Sequence, residues 1–273
     1  MKYEIFDVKA GDMSDSGKLY LYLLDDSSEI PIRKRPVIII CPGGGYGMTS
    51  DREAESIAMQ YVAFGYHAAV LRYSVAPAVF PAALLELASA VTLIREYAAP
   101  WHVDPDRIVI SGFSAGGHMA ASYGVFWNKD WVSERSGKDK ELLRPNAMIL
   151  GYPVITAGKY AHHDSIRNLL GEEYEARKEE MSLESQVTAE TPRTFIWHTY
   201  EDNVVPVQNS LLMVNALVKQ GIPAEFHMFE KGLHGLSLAN RLTLDCNGFG
   251  YEPGAAAWMG LVHQWLESWL GTV

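Results

Sequence analysis

The stretch Ile108-Val109-Ile110-Ser111-Gly112-Phe113-Ser114-Ala115-Gly116-Gly117-His118-Met119-Ala120-Ala121 passes from a β-branched run, through a Gly-x-Ser-x-Gly pentapeptide, into an alanine-rich segment. Strand, tight turn and helix in that order are the setting that a nucleophile elbow requires. So sharp a turn strains the backbone of its central residue, and glycine on either side lets neighbouring backbone pass close. Ser114 is then presented at the carboxyl end of a strand. The helix that follows aims its unpaired N–H groups at the same spot, where they favour developing negative charge. The pentapeptide also arises by chance in glycine-rich loops, as a turn and nothing more. The flanking strand and helix separate the two readings.

The elbow strand, 107–111, has clear neighbours on both sides. Upstream, Val37-Ile38-Ile39-Ile40 is a continuous β-branched run of the kind buried on both faces, and Cys41-Pro42-Gly43-Gly44-Gly45-Tyr46-Gly47 follows it directly. Residues 3–8 and 18–24 read as an antiparallel hairpin at a sheet edge, joined by a Gly/Asp/Ser turn. A helix is expected over 53–64 with Gly65 as its stop, then a strand over 67–73 and a helix over 81–97 with Pro81 near its start. Downstream, 145–155 gives another apolar strand. Residues 156–190 turn polar and helical, and their charge run (Glu172, Glu173, Glu175, Arg177, Lys178, Glu179, Glu180) reads as a solvated face. Strands over 194–199 and 224–229 enclose a helix over 207–220. An amphipathic helix over 255–270 closes the chain, with Trp258, Leu261, Val262, Trp265 and Trp269 at helical spacing as core residues. This alternation predicts an α/β protein: a mainly parallel central sheet of about eight strands with helices on both faces. One domain over 1–273, with a small helical insertion around 156–190, is expected.

The composition is that of an ordinary globular chain: 273 residues, 48% hydrophobic and 21% charged. A formal charge of −10 argues against an electrostatic grip on nucleic acid or on an anionic membrane, and says little about a neutral substrate. Cys41 ends a strand-like run and reads as a buried free thiol rather than half of a disulfide or a metal ligand. The first ten residues alternate polar and apolar with no continuous apolar region, and no run approaches a membrane span. Neither a signal peptide nor membrane association is expected, and a cytoplasmic location follows as the expectation.

A serine hydroxyl is a poor nucleophile at neutral pH and needs a base, which itself needs an orienting carboxylate. The chain order Ser, then Asp or Glu, then His prunes the nine histidines. His67 and His102 precede the serine, and His118 sits on the elbow helix. His162 and His163 come before any suitable acid, while His198, His227 and His263 lie inside apolar elements. His234 lies in Lys231-Gly232-Leu233-His234-Gly235, a loop directly after the last strand, where open α/β sheets place their chemistry. In Tyr200-Glu201-Asp202-Asn203, Asp202 is the favoured acid and Glu201 the alternate, with helix capping as the competing role for either. The oxyanion of acyl transfer needs preorganised donors: the N–H of Ala115, and the amides of Gly44 and Gly45 in the loop after the third strand. That loop lacks both the G-x-G-x-x-G pattern and a P-loop lysine, which argues against a phosphate cradle.

With these residues placed, the chain resembles the hormone-sensitive-lipase-like esterase group of α/β-hydrolases, closest to its bacterial acetyl-esterase and xylan-esterase-like branch. The resemblance covers nearly everything from about residue 35. It rests on Pro42 to Tyr46, Leu71 to Pro77, Gly112 to Gly117, Trp197 to Pro206 and Phe229 to Gly235. Pro42 stands where the wider group has histidine before the three glycines, and Phe113 where it has aspartate before the serine. The long N-terminal cap of many relatives has no counterpart, which leaves 156–190 as the expected wall over the site. The resemblance implies hydrolysis of short-chain carboxylic esters, including acetyl groups on sugars, with no cofactor and no metal.

The expected partner is thus a small-molecule ester, an acetylated sugar or oligosaccharide among them, and a homodimer stays open. Tyr46, Tyr73 and Tyr152 are candidates to line a sugar-binding cleft, with Trp127 beside them, although aromatic residues near strand ends are as often core. Two rivals remain. A serine peptidase of the oligopeptidase type shares such a domain but carries a large propeller. A non-catalytic small-molecule-binding homologue would lack a base, whereas here every position is filled in the required order.

Overall fold

The elbow strand sits near the middle of the sheet. The computed structural model describes residues 1–13 and 16–270. Eight strands are described: β1 Lys2–Lys9, β2 Ser16–Leu23, β3 Arg35–Cys41, β4 His67–Arg72, β5 Val103–Phe113, β6 Ala147–Gly151, β7 Arg193–Thr199 and β8 Ala224–Phe229. They form one sheet in the order β1-β2-β4-β3-β5-β6-β7-β8. The pairings β1–β2 and β2–β4 are antiparallel and the other five are parallel. The expected edge hairpin is present, and Ser14 and Asp15 of its turn lie outside the described residues.

The helices are α1 Glu55–Ala63, α2 Ala82–Glu96, α3 Ser114–Phe126, α4 Asp130–Ser136, α5 Lys140–Leu143, α6 His163–Leu170, α7 Tyr174–Arg177, α8 Gln208–Lys219 and α9 Trp258–Leu270. The short α4 and α5 fall in a stretch where the periodicity predicts nothing. The insertion also departs from expectation. After α6 it is a chain of single turns rather than a longer helix. Its charge run is mostly exposed and pairs within itself, Arg177 with Glu173 and Glu180, and Lys178 with Glu175. Such surface pairs stabilise little.

Alternation along the strands divides the core. Val37 and Ile39 of β3 and Ile108 and Ile110 of β5 pack with α2, α3 and α8 on one face. Ile38, Ile40 and Val109 pack with α1 and α9 on the other. Both faces are therefore covered, which is why β3 shows no polar alternation at all. The tryptophans of α9 belong to this second layer: Trp258 stacks on Trp197 at 5.1 Å, and Trp265 is buried beside it.

The strand order is what makes the site. After β3 the chain moves outward to β4, then returns to the other side of β3 as β5, and continues to β8. β3 and β5 are thus neighbours whose following loops diverge, the switch point where open α/β sheets leave a crevice. Cys41 pairs with Gly112, so the glycine loop and the elbow leave the sheet side by side.

Candidate active site

Ser114 has φ of 53°, the strained geometry that the sharp turn imposes. The turn closes only because its flanks lack side chains. A Cβ on Gly112 would sit 2.1 Å from the Gly116 carbonyl oxygen, and one on Gly116 would sit 2.1 Å from that of Cys41. Ser114 Oγ lies 2.7 Å from His234 Nε2, and His234 Nδ1 lies 2.7 Å from Asp202 Oδ2. A carboxylate can only accept, so Nδ1 carries the imidazole proton and Nε2 is left to accept the serine hydroxyl. The three side chains come from the ends of β5, β7 and β8, which lie close together in the sheet only because the chain runs that way.

Asp202 is buried and saturated with donors. Its Oδ1 accepts the amides of Val204 at 3.0 Å and Val205 at 2.9 Å. Its Oδ2 takes His234, and His198 Nε2 stands 3.3 Å away while also donating to the Val205 carbonyl at 2.9 Å. Burial alone would raise this carboxyl, but the hydrogen bonds from His198 and His234, with their charge, hold it well below the usual carboxylate range. Glu201, the alternate acid, does something else: its Oε2 accepts the Gly232 amide at 3.1 Å and anchors the loop that carries His234.

In the glycine loop, backbone groups from residue 42 to 45 find partners one after another. Tyr73 donates its hydroxyl to the Pro42 carbonyl at 2.6 Å, and the Gly43 amide donates to Glu53 Oε2 at 2.7 Å. The carbonyls of Gly43 and Gly44 accept the amides of Ser50 and Met48. Asn168 Nδ2 of α6 donates to the Gly45 carbonyl at 2.8 Å. The amides of Gly44 and Gly45 have no acceptor among the described residues, and the Ala115 amide lies in the first turn of α3, where helical partners are lacking. Unpaired amides beside a nucleophile can receive an anionic oxygen.

A cleft of about 270 Å³ opens over these groups, lined by Ser114, His234 and Gly235, by Gly44, Gly45 and Met48, and by Arg52, Glu53, His162 and Val204. A larger groove of about 450 Å³ runs along the edge hairpin beside Tyr3, Tyr20 and Arg72, and contains none of the residues of this constellation. The expected tyrosines do not line the cleft. Tyr46 and Tyr152 have φ of 56° and 36°, and all three rings are buried. Their hydroxyls serve the protein: Tyr46 donates to His118 Nδ1 at 2.9 Å, Tyr73 to Pro42, and Tyr152 to Glu53 Oε1 at 2.5 Å. The Tyr152 ring meets the His234 ring edge-on at 5.2 Å, from within the protein. Trp127 is buried likewise, with Nε1 on the Glu190 carbonyl.

Sequence reasoning set aside His162 and His198 and did not consider Glu53 or Asn168. Each reaches the site through tertiary packing. The carboxylate of Glu53, ten residues beyond the glycine it holds, follows no motif.

Among the described residues no cluster of three or more His, Cys, Asp or Glu side chains is set to hold a metal, and no helix is long and apolar enough to cross a membrane. Cys41 is a buried free thiol, and Cys246 is free and exposed.

Comparison with known proteins places this arrangement in a family setting. A family model described as BD-FAE matches residues 26–217. The chain is similar to an endo-1,4-beta-xylanase B of Butyrivibrio fibrisolvens, 40% identical over 81% of this chain and 35% of that protein. It is also similar to an acetylxylan esterase of Xylanibacter ruminicola, 28% identical over 72% of this chain and 40% of that protein. The chain thus spans little more than a third of the length of these two curated relatives. Among solved structures, an acetyl ester-xyloside bifunctional hydrolase from Caldicellulosiruptor lactoaceticus superposes with a TM-score of 0.82 at 34% identity, covering 98% of this chain and 97% of that one.

Proposed function

Because the chain belongs to the BD-FAE family and carries the α/β-hydrolase fold, we propose that it is a serine carboxylesterase that hydrolyses short-chain acyl esters, acetylated carbohydrates among them. The observation that carries this reading is the continuous relay from Ser114 Oγ through His234 to Asp202, two contacts of 2.7 Å at the floor of a cleft.

Ser114 Oγ adds to the ester carbonyl carbon as its proton passes to His234 Nε2. The oxygen of the tetrahedral intermediate takes hydrogen bonds from the amides of Ala115, Gly44 and Gly45. Collapse breaks the bond to the alcohol oxygen, which leaves with the proton from His234. Water then adds to the acyl-enzyme, giving its proton to His234, and Ser114 departs with that proton as the acid is released. Asp202 stays ionised throughout and stabilises the imidazolium. The cleft lies just below the roughly 300–1,000 Å³ usual for drug-sized ligands, which suits a short acyl group on a small alcohol. The acetylxylan esterase and the acetyl ester-xyloside hydrolase among the similar proteins favour a sugar as that alcohol.

The test is hydrolysis of p-nitrophenyl acetate, butyrate and octanoate, beside acetylated xylan, by the wild type and by Ser114→Ala. The expected result is activity that declines with acyl length, releases acetate from xylan, and vanishes in the variant while folding persists. A fluorophosphonate should label the wild type at Ser114. Hydrolysis by Ser114→Ala at the wild-type rate, or no hydrolysis by either protein, would overturn the reading.

A further inference from the structure

His162 is the residue just before α6, and it caps that helix with its side chain. The Ser165 amide donates to Nδ1 at 3.3 Å, and the Ser165 hydroxyl lies 2.8 Å from the same nitrogen. A backbone N–H can only donate, so Nδ1 is the bare nitrogen and the ring proton sits on Nε2. This fixes the tautomer without reference to any substrate. Nε2–H has no acceptor among the described residues, yet the ring forms part of the cleft wall shared with Ser114 and His234. His162 thus brings an unused donor to the lining of that cleft.

We propose that His162 is a specificity-determining residue for the alcohol half of the ester, its Nε2–H donating to a hydroxyl or ring oxygen of a polyol such as a pyranose. The inference rests on the esterase reading above and deepens it. Three considerations lead to the alcohol side. The leaving oxygen takes its proton from His234 Nε2, so the alcohol stands against His234. Burial, and after it the charge of nearby His234, lowers the pKa of the His162 imidazole and so disfavours its cation, and the same proximity to His234 puts the ring on the alcohol side. Glu53, another polar side chain of the wall, is buried and already holds Gly43 and Tyr152 on its two oxygens, which gives it a structural role. An imidazole N–H suits a neutral polyol, to which it supplies a directed hydrogen bond.

The experiment separates the cap from the donor. Asparagine is among the best N-cap residues, so His162→Asn keeps an acceptor for the Ser165 amide while withdrawing the donor from the cleft. His162→Gln returns an N–H to a similar depth. Three substrates are compared: a mono-acetylated methyl xyloside, cyclohexyl acetate, which has a similar ring and no hydroxyls, and p-nitrophenyl acetate. For His162→Asn, kcat/KM on the xyloside is expected to drop about tenfold, with the other two within about twofold and the melting temperature unchanged. His162→Gln should recover part of the loss. Equal losses on all three substrates, or no loss on the xyloside, would overturn the assignment. A wild type that hydrolyses all three esters through Ser114 but prefers cyclohexyl acetate to the xyloside would overturn it too and leave the esterase reading standing. A wild type inactive on all three would overturn that reading instead.

Discussion

Asn168 holds Gly45 from outside the loop: its side-chain amide donates to the Gly45 carbonyl at 2.8 Å, across a gap of 123 residues in sequence. A helix of the polar insertion therefore fixes the orientation of a peptide in the loop that lines the cleft with Ser114. Asn168→Ala should lower kcat on p-nitrophenyl acetate about three- to tenfold with little change in KM, and cost about 1 kcal/mol of stability. Steady-state kinetics and urea denaturation check this. A stability loss with unchanged kcat would mean that the tether serves the fold alone.

Asp202 accepts from two histidines and two backbone amides. Asp202→Asn keeps the shape but presents an amide donor or a weaker acceptor to His234 Nδ1, so kcat should fall by about 10⁴. A pH effect accompanies it. The folded pKa lies below the unfolded value of about 3.9, so the stabilisation is complete above that value and is lost as pH falls through the folded pKa. Urea midpoints of the wild type should decline below about pH 4, and those of the variant should decline less.

His118 tests the opposite kind of group. Buried in α3, it receives the Tyr46 hydroxyl on Nδ1 and donates from Nε2 to the Met181 carbonyl at 3.1 Å. Burial lowers its pKa to about 4, so the ring is neutral in the folded protein while the unfolded chain takes a proton near pH 6.5. Its contribution is full above about pH 6.5 and is lost as the pH falls from there to about 4. His67, also lowered to about 4 by burial, adds in the same direction. The unfolding midpoint at pH 5 should therefore be lower than at pH 7.5, with a shallower slope in His118→Gln despite lower overall stability. Equal slopes in the two proteins would exclude His118 as a source.

What could be read from the sequence was what local backbone geometry dictates. The Gly-x-Ser-x-Gly turn constrains its own residues, and its two glycines are each required by a carbonyl about 2 Å from the missing Cβ. His234 could be picked out because chain order and a glycine-flanked loop after a strand are both properties of the sequence. The tyrosines could not be placed so. Position at a strand end does not tell which way a ring turns, and Tyr46 and Tyr152 turn inward at positive φ. His162 was hidden for the converse reason. It lies in a polar segment that owes its place over Ser114 to α6 packing on the glycine loop. The sequence favours Asp202 over the adjacent Glu201, but the partner of each, His234 for Asp202 and the Gly232 amide for Glu201, comes only from geometry.

The insertion meets the cleft and its supports at three places: His162 in the cleft wall, Asn168 on Gly45, and the Met181 carbonyl on His118 of α3. It is therefore not a detachable module. A segment transplanted from a similar protein to redirect substrate choice would arrive without the loop tether and the helix acceptor, and would lose rate while it changed preference. Laboratory evolution of this scaffold should accordingly move selectivity and turnover together, and useful variants should combine changes in 156–190 with compensating ones at 42–50.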